Sequence, residues 1–368
     1  MKLEEIFPAN SISSQERDLE VYARDASEFE GKCKLVVWPR SHEQVQRLAH
    51  YARRLSEPLT IRGGATSTFG GTIPKNSIVV DMSKMNKVLD IGPDYVVVQA
   101  GVVVDELNRV LAKKKKYFPV VPLEHKVCTI GGMVATNCLG LDTYYGKMED
   151  WVIGMRVVDG TGKVLDLGKV PSTAFVGSEG IFGVMCAVKL KIINKPVYKT
   201  VSLFKFNTIT AMMDKVMELE KKENVLAITY LDDRASAYAK LEEQMHLIVE
   251  YSDDSGLLKN KDEVVGVDDV KERMQHVLVN KRFSQKEDPV IPKADRAKFL
   301  HWLRKKGVPT YAHMKESIIH PCFKDYSKLP EEMYAIVERL KGKIIGEYPV
   351  GIKRRDQLPK KVEEKFII

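Results

Sequence analysis

The sequence predicts an α+β protein of two domains, on three observations. The first half carries three glycine clusters set among strand and helix patterns. At Pro196 the composition changes to few glycines and many charges. Beyond that point the apolar periodicity runs strand, helix, strand, strand, helix, the order of a ferredoxin-like unit. The expected boundaries are a glycine-rich domain over 1–196, a second domain over 197–325, and a C-terminal segment, 326–368, returning toward the first.

Taken in order, residues 1–30 read as a helical arm ending in Tyr22-Ala-Arg-Asp-Ala-Ser27. Cys33 to Trp38 is a strand stopped by Pro39, and Ser41-His-Glu-Gln44 has the form of a capping box. Val45, Leu48, Ala49, Ala52 and Leu55 follow at helical spacing. A strand at Leu59 to Ile61 completes a βαβ unit and runs into Arg62-Gly-Gly-Ala-Thr-Ser-Thr-Phe-Gly-Gly71, with a strand at Ile78 to Met82 beyond. Glycines there admit positive φ and let bare amides approach an anion. A flexible surface loop is the alternative reading, but four glycines with Thr66, Ser67 and Thr68 between two strands favour a phosphate or pyrophosphate cradle. It is not a Rossmann turn: no GxGxxG occurs, and a strand follows instead of a helix.

Tyr95 to Ala100 reads as a strand and Val104 to Ala112 as a helix whose basic end is Lys113 to Lys116. The second glycine stretch is Thr129 to Gly140, followed by Tyr144-Tyr-Gly146. Trp151 to Val158 and Val164 to Leu167 form a hairpin, and Gly177 to Gly183 leads into a strand at Val184 to Ile193. Three clusters in about 120 residues imply one extended ligand meeting backbone in several places.

After Pro196, strands are expected at Val201 to Phe206, Leu226 to Leu231 and His246 to Tyr251. A helix from Thr208 to Glu223 buries Ile209, Met212, Met213, Val216 and Leu219. Val270, Met274, Val277 and Leu278 mark a second helix, and Ser252 to Gly266 a polar surface loop. Lys293 to Lys306 is a helix, Val308 to Met314 a strand and Pro330 to Leu340 a helix.

The totals limit the function. A net charge of +8 over 368 residues is modest and compatible with anionic substrates. No recognition helix or aromatic RNA-binding motif appears, so nucleic acid is not the expected partner. Five scattered cysteines without a CxxC supply no zinc knuckle or iron–sulfur ligand set and fit a reducing cytosol. Neither a signal peptide nor an integral membrane segment is expected, and the predicted location is cytoplasmic.

Together the three clusters resemble the FAD-binding domain of vanillyl-alcohol-oxidase-type (PCMH-type) flavoproteins. Tyr22 to Ser27 and Asp288-Pro-Val-Ile-Pro292 narrow the resemblance to the branch holding glycolate oxidase, D-lactate dehydrogenase and D-2-hydroxyglutarate dehydrogenase. The resemblance implies FAD between a PCMH-type domain and a ferredoxin-like cap. The cofactor-binding set it implies is Arg62, Gly63, Gly64, Ala65, Thr66, Ser67, Phe69, Gly70, Pro122, Thr129, Gly131, Gly132, Thr136, Asn137, Gly140, Tyr145, Gly146, Glu179, Gly183 and Val184. Thr66 or a neighbour stands where some relatives tether flavin through histidine, so the FAD is expected to be non-covalent.

Two further segments match the branch: Ala312-His-Met-Lys-Glu-Ser-Ile-Ile-His320 and Gly346-Glu-Tyr-Pro-Val-Gly351. They imply that His313, His320 and Glu347 hold a divalent metal; two histidines and a carboxylate suit zinc, iron or manganese. The substrate implied is a small 2-hydroxy acid that gives a hydride to flavin. Tyr348 stands where relatives have the basic histidine, so Tyr348 or a metal-bound hydroxide is the expected base. An unperturbed tyrosine, with a pKa of about 10, suits that task poorly. Lys286 and Arg273 are assigned to the substrate carboxylate. The electron acceptor is a quinone, a carrier protein, oxygen or a partner subunit, within a homo-oligomer or a hetero-complex. The alternative is an FAD-holding subunit of a larger oxidoreductase whose own substrate site has decayed, a reading favoured by Tyr348 and by Ile318 in place of the family's asparagine.

Overall fold

The stripe Val45, Leu48, Ala49 and Ala52 is buried on one side of a helix, His42–Leu55, and Ser41 caps its start by accepting the Gln44 amide. The capping box is only half formed, because Gln44 Oε1 accepts the Arg40 amide instead of that of Ser41. This helix belongs to the first of two compact units in the computed structural model, which describes residues 2–195, 200–253, 270, 285–324 and 329–355. The first unit comprises Met1–Gly140, Gly146–Lys195 and Pro349–Ile368; the second comprises Leu141–Tyr145 and Pro196–Tyr348.

In the first unit, β1 (Ile12–Ser13), β2 (Lys32–Val37), β3 (Leu59–Arg62) and β4 (Lys75–Asp81) form a sheet in the order β1-β2-β4-β3. The βαβ unit is present, but β4 lies between its two strands and pairs parallel with both. The cradle Gly63–Gly71 therefore leaves the carboxyl end of β3 and returns into the middle of the sheet. The expected N-terminal arm is not one helix. Short 3-10 turns at Leu3–Glu5 and Ala9–Ser11 precede β1, which pairs with Val36 and Val37, so only Glu16–Tyr22 is α-helical. Pro8, which has no amide hydrogen and a fixed φ, falls at the break.

A second sheet has the order β5-β6-β10-β8-β9: β5 (Val88–Ile91), β6 (Tyr95–Gln99), β8 (Val152–Val158), β9 (Val164–Gly168) and β10 (Val184–Lys191). A two-stranded ladder joins β7 (Lys116–Tyr117) to β11 (Ile193–Asn194). Alternate valines of both sheets, Val37 and Val80 with Val96, Val98, Val157 and Val188, share one core with the helix Val104–Ala112. The second glycine stretch, to which no element was assigned, is a helix at Ile130–Thr136. Thr129 caps it, and Asn137 ends it in the left-handed region.

The second unit is one antiparallel sheet in the order β12-β14-β13-β16-β17-β15, from β12 (Thr200–Phe206), β13 (Val225–Leu231), β14 (Met245–Tyr251), β15 (Gln285–Lys286), β16 (Thr310–His313) and β17 (Ile318–Phe323). The strands β12, β14 and β13 have the ferredoxin-like arrangement, extended here by the β16–β17 hairpin beside β13. Along β14, Met245, Leu247, Val249 and Tyr251 face a core shared with the helices Ile209–Leu219, Arg296–Lys305 and Leu329–Arg339. All five residues expected to be buried on the first of these helices are buried. Of the second expected helix only Val270 is described; Met274, Val277 and Leu278 lie outside the described residues.

A buried ion pair ties two of these helices together. Arg296 is 1% exposed and grips both Glu220 oxygens, at 2.9 and 3.1 Å, while donating to the Met314 carbonyl. Removing Arg296 leaves Glu220 only the exposed Lys293, 3.2 Å away, and losing one partner of a buried pair costs about 3–5 kcal/mol. Arg296→Met should therefore lower the unfolding free energy by about 3 kcal/mol or more in a denaturant titration. A change below about 1 kcal/mol would mean the pair behaves as a surface one.

Candidate functional site: a glycine cradle and a two-histidine, one-carboxylate cluster

In the first unit, the amides of residues 64–68 make no hydrogen bond to protein among the described residues. Ala65 is held at φ +53°, a conformation a side chain tolerates poorly, and Gly70 is at φ +76°. The result is a run of unengaged N–H groups at a strand end, which fits an anion such as a dinucleotide pyrophosphate. Glycine at 64 is compulsory on geometry: a Cβ there would sit 2.3 Å from the Val127 carbonyl oxygen. Around this loop, Thr66 and Cys128 meet through hydroxyl and sulfur at 3.3 Å, and the Thr136 hydroxyl donates to the Gly132 carbonyl at 3.1 Å. The hydroxyl at Thr66 offers no imidazole for a tether.

Several residues of the expected cofactor set are already engaged with protein. The Arg62 guanidinium donates to the Arg24 carbonyl and lies 5.0 Å above the Tyr22 ring. The Asn137 side chain accepts the Glu149 amide at 3.0 Å. Glu179, in the third cluster, accepts the amides of Val350 and Gly351 at 2.7 and 3.0 Å, and burial pushes its carboxyl up. The same C-terminal stretch gives the Ile352 amide to the Phe69 carbonyl, and the buried Arg354 lies over the Phe69 ring at 4.6 Å. Gly63, Gly131, Gly132, Pro122, Gly140, Gly146, Gly183 and Val184 are in the first unit, whereas Tyr145 groups with the second.

In the second unit, the hairpin register builds the cluster. Tyr311 on β16 pairs with His320 on β17, and His313 with Ile318, so both imidazoles emerge on one face, diagonal to each other. That face also carries Thr229, which pairs with His313, and it is opposite to the one packed on the helices Ile209–Leu219, Arg296–Lys305 and Leu329–Arg339. The imidazole centroids are 5.2 Å apart, and the Tyr311 ring stacks on His320 at 4.3 Å. His320 Nε2 is 3.5 Å from Glu347 Oε1. The donor atoms of His313, His320 and Glu347 lie within 4.8 Å of one another, and the two histidines are 7% and 1% exposed. Two buried imidazoles with a half-buried carboxylate are the donor chemistry of a first-row divalent cation.

Asp288 explains how Glu347 reaches this cluster. Fully buried, it accepts the backbone amides of both Glu347 and Tyr348 through one oxygen. A Cβ at Gly346 would lie 2.4 Å from the Asp288 carbonyl oxygen, so the turn closes only with glycine there. Sequence reading missed this role; the signal was an acid directly ahead of the apolar Pro289-Val-Ile-Pro292. The Tyr348 hydroxyl is 3.1 Å from that of Tyr311. Burial first, and the Glu347 charge second, push the Tyr348 phenol well above its ordinary value. Lys286 stands on β15 opposite Cys322, and Arg273 lies outside the described residues.

Residues 33–168 match the family model described as the FAD binding domain. Among curated relatives, D-2-hydroxyglutarate dehydrogenase of Xanthomonas citri is 26% identical over 64% of the chain and 53% of the relative. Glycolate oxidase subunit GlcD of Bacillus subtilis is 30% identical over 54% of the chain and 45% of the relative. The chain thus spans about half the length of these curated relatives. D-lactate dehydrogenase of Archaeoglobus fulgidus is 24% identical over 99% of the chain and 93% of the relative. Of solved structures, p-cresol methylhydroxylase superposes with a TM-score of 0.75 at 14% identity, over 99% of this chain and 92% of that one. That likeness shows the fold, and the resemblance drawn from the glycine clusters is borne out. No helix among the described residues is long and apolar enough to cross a membrane.

Proposed function

We propose that the protein oxidises a small 2-hydroxy acid, of the D-lactate, glycolate or D-2-hydroxyglutarate kind, with two-electron reduction of non-covalent FAD. The observation that carries this is the clustering of His313, His320 and Glu347 in the same chain as an FAD binding domain. Bound FAD supplies the two-electron acceptor. A zinc, iron or manganese ion held by the three side chains supplies positive charge for the hydroxyl and carboxylate oxygens of the acid.

The protein's own contributions follow from the geometry. Tyr311 packs flat on His320 and fixes its ring plane. Asp288 holds the backbone of Glu347 and Tyr348 in place. Tyr348, a buried phenol beside Glu347 with its hydroxyl 3.1 Å from that of Tyr311, keeps its proposed role of holding or taking the substrate's hydroxyl proton. Lys286 and Arg273 keep their proposed attraction for the carboxylate.

The second reading, an FAD-holding subunit without its own substrate chemistry, draws on the same phenol at position 348. Anaerobic addition of D-lactate, glycolate and D-2-hydroxyglutarate to the yellow protein separates the two. Bleaching of the absorption near 450 nm by at least one acid is the expected result. A loaded protein that none of them bleaches would leave only the second reading.

A further inference from the structure

The motif Tyr22-Ala-Arg-Asp-Ala-Ser27 has no place in the chemistry above, yet it grips the cradle at several points. The Ala26 amide donates to the Ala65 carbonyl at 3.1 Å, and Arg62 reaches the Arg24 carbonyl at 2.6 Å. The Phe29 ring covers Gly70 so closely that a Cβ there would lie 2.9 Å from it.

Asp25 is the centre of this grip. One carboxylate oxygen closes its own turn by accepting the Ser27 amide at 2.8 Å and the Ser27 hydroxyl. The other accepts the Thr72 amide at 3.3 Å and the Thr72 hydroxyl at 3.0 Å. One carboxylate therefore takes four donors, two from the turn and two from the far end of the loop. Ala65, with its left-handed backbone, is pinned between these attachments. Such a conformation is strained for a residue with a side chain and persists only where surroundings enforce it.

We infer that Asp25 is a positioning residue for the FAD loop, holding residues 62–72 in the conformation that leaves the amides of 64–68 turned to an anion. Its carboxylate is saturated by Ser27 and Thr72 and does not itself meet the cofactor. The inference rests on the reading of this loop as the pyrophosphate cradle.

The test uses the full chain stripped of FAD, with re-binding followed by flavin fluorescence. Asparagine has one acceptor oxygen, so Asp25→Asn must turn an N–H toward either Ser27 or Thr72. Thr72→Val removes the hydroxyl half of the grip alone. Both variants should weaken FAD binding, by roughly ten- to a hundredfold for Asp25→Asn and less for Thr72→Val. Each should lower the thermal midpoint of the FAD-loaded protein more than that of the stripped protein, while the loaded flavin spectrum is unchanged. Wild-type affinity in both variants, or equal midpoint losses with and without FAD, would overturn the inference. Should Asp25→Asn not fold, Thr72→Val decides by the same criteria. A wild-type chain that takes up no FAD would overturn the cradle reading as well; wild-type uptake with unaffected variants overturns this inference alone.

Discussion

His320→Ala should abolish tight binding of a divalent cation and reduce hydroxyacid oxidation by roughly a thousandfold or more, while FAD content is unchanged. The first expectation follows from the donor count: two imidazoles and one carboxylate converge within 4.8 Å, and the substitution removes one of three. The second follows from what the cation contributes. Charge stabilisation at a substrate oxygen is worth several kcal/mol, and each 1.36 kcal/mol is tenfold in rate. The third follows from location, since His320 is on β17 of the second unit and the cradle is in the first. Metal analysis of the purified protein, flavin absorbance and turnover with the preferred acid give the three readouts. His320 is almost wholly buried and stacked on Tyr311, so alanine also leaves a cavity; His320→Gln, nearer in volume, controls for that. Wild-type turnover in either variant, with no change in metal content, would remove the cluster from the mechanism.

Particular elements show which parts of this protein can be read without coordinates. The helix Val104–Ala112 was legible to the residue, and so was the apolar stripe of Ile209–Leu219, because each pairs strong 3.6-residue periodicity with a fitting start. β17 was not assigned. Its six residues, Ile-Ile-His-Pro-Cys-Phe, are all buried, so the alternation that marks a half-exposed strand is missing, and Pro321 argues against a strand locally. The helix Ile130–Thr136 was hidden by Gly131 and Gly132, which disfavour helix; packing and the Thr129 cap override them. In the site, the two histidines and Glu347 were legible as a conjunction of residue types, but not the reason they meet. That reason is the β16–β17 register and the Asp288 grip on two amides, and neither leaves a periodic trace. Glu179 shows the converse. Its assignment to the cofactor comes from resemblance, and no periodicity announces that its carboxylate also accepts the amides of Val350 and Gly351.

The cradle carries the other large effect. Gly64→Ala should weaken FAD binding by roughly a hundredfold or more, whereas Gly160→Ala should leave it unchanged. At position 64 the added carbon would lie 2.3 Å from the Val127 carbonyl oxygen and 3.0 Å from its carbon, both backbone atoms. No rotamer change relieves such a contact, so the loop itself must shift away from the Val127–Thr129 stretch. That shift displaces the amides of 64–68, whose value lies in being aimed together at one anion. A hydrogen bond to a charged group contributes about 1.5–3 kcal/mol, and misaligning two of them gives the stated loss at about 1.4 kcal/mol per tenfold. At position 160, in the turn between β8 and β9, nothing lies within 4 Å of the added carbon. The same chemical change is therefore made once against backbone and once into open space. Titrating FAD into both stripped variants compares them directly. Equal affinities would show that the geometry of the first glycine loop does not govern flavin uptake, and the pyrophosphate would then have to be held elsewhere in the domain.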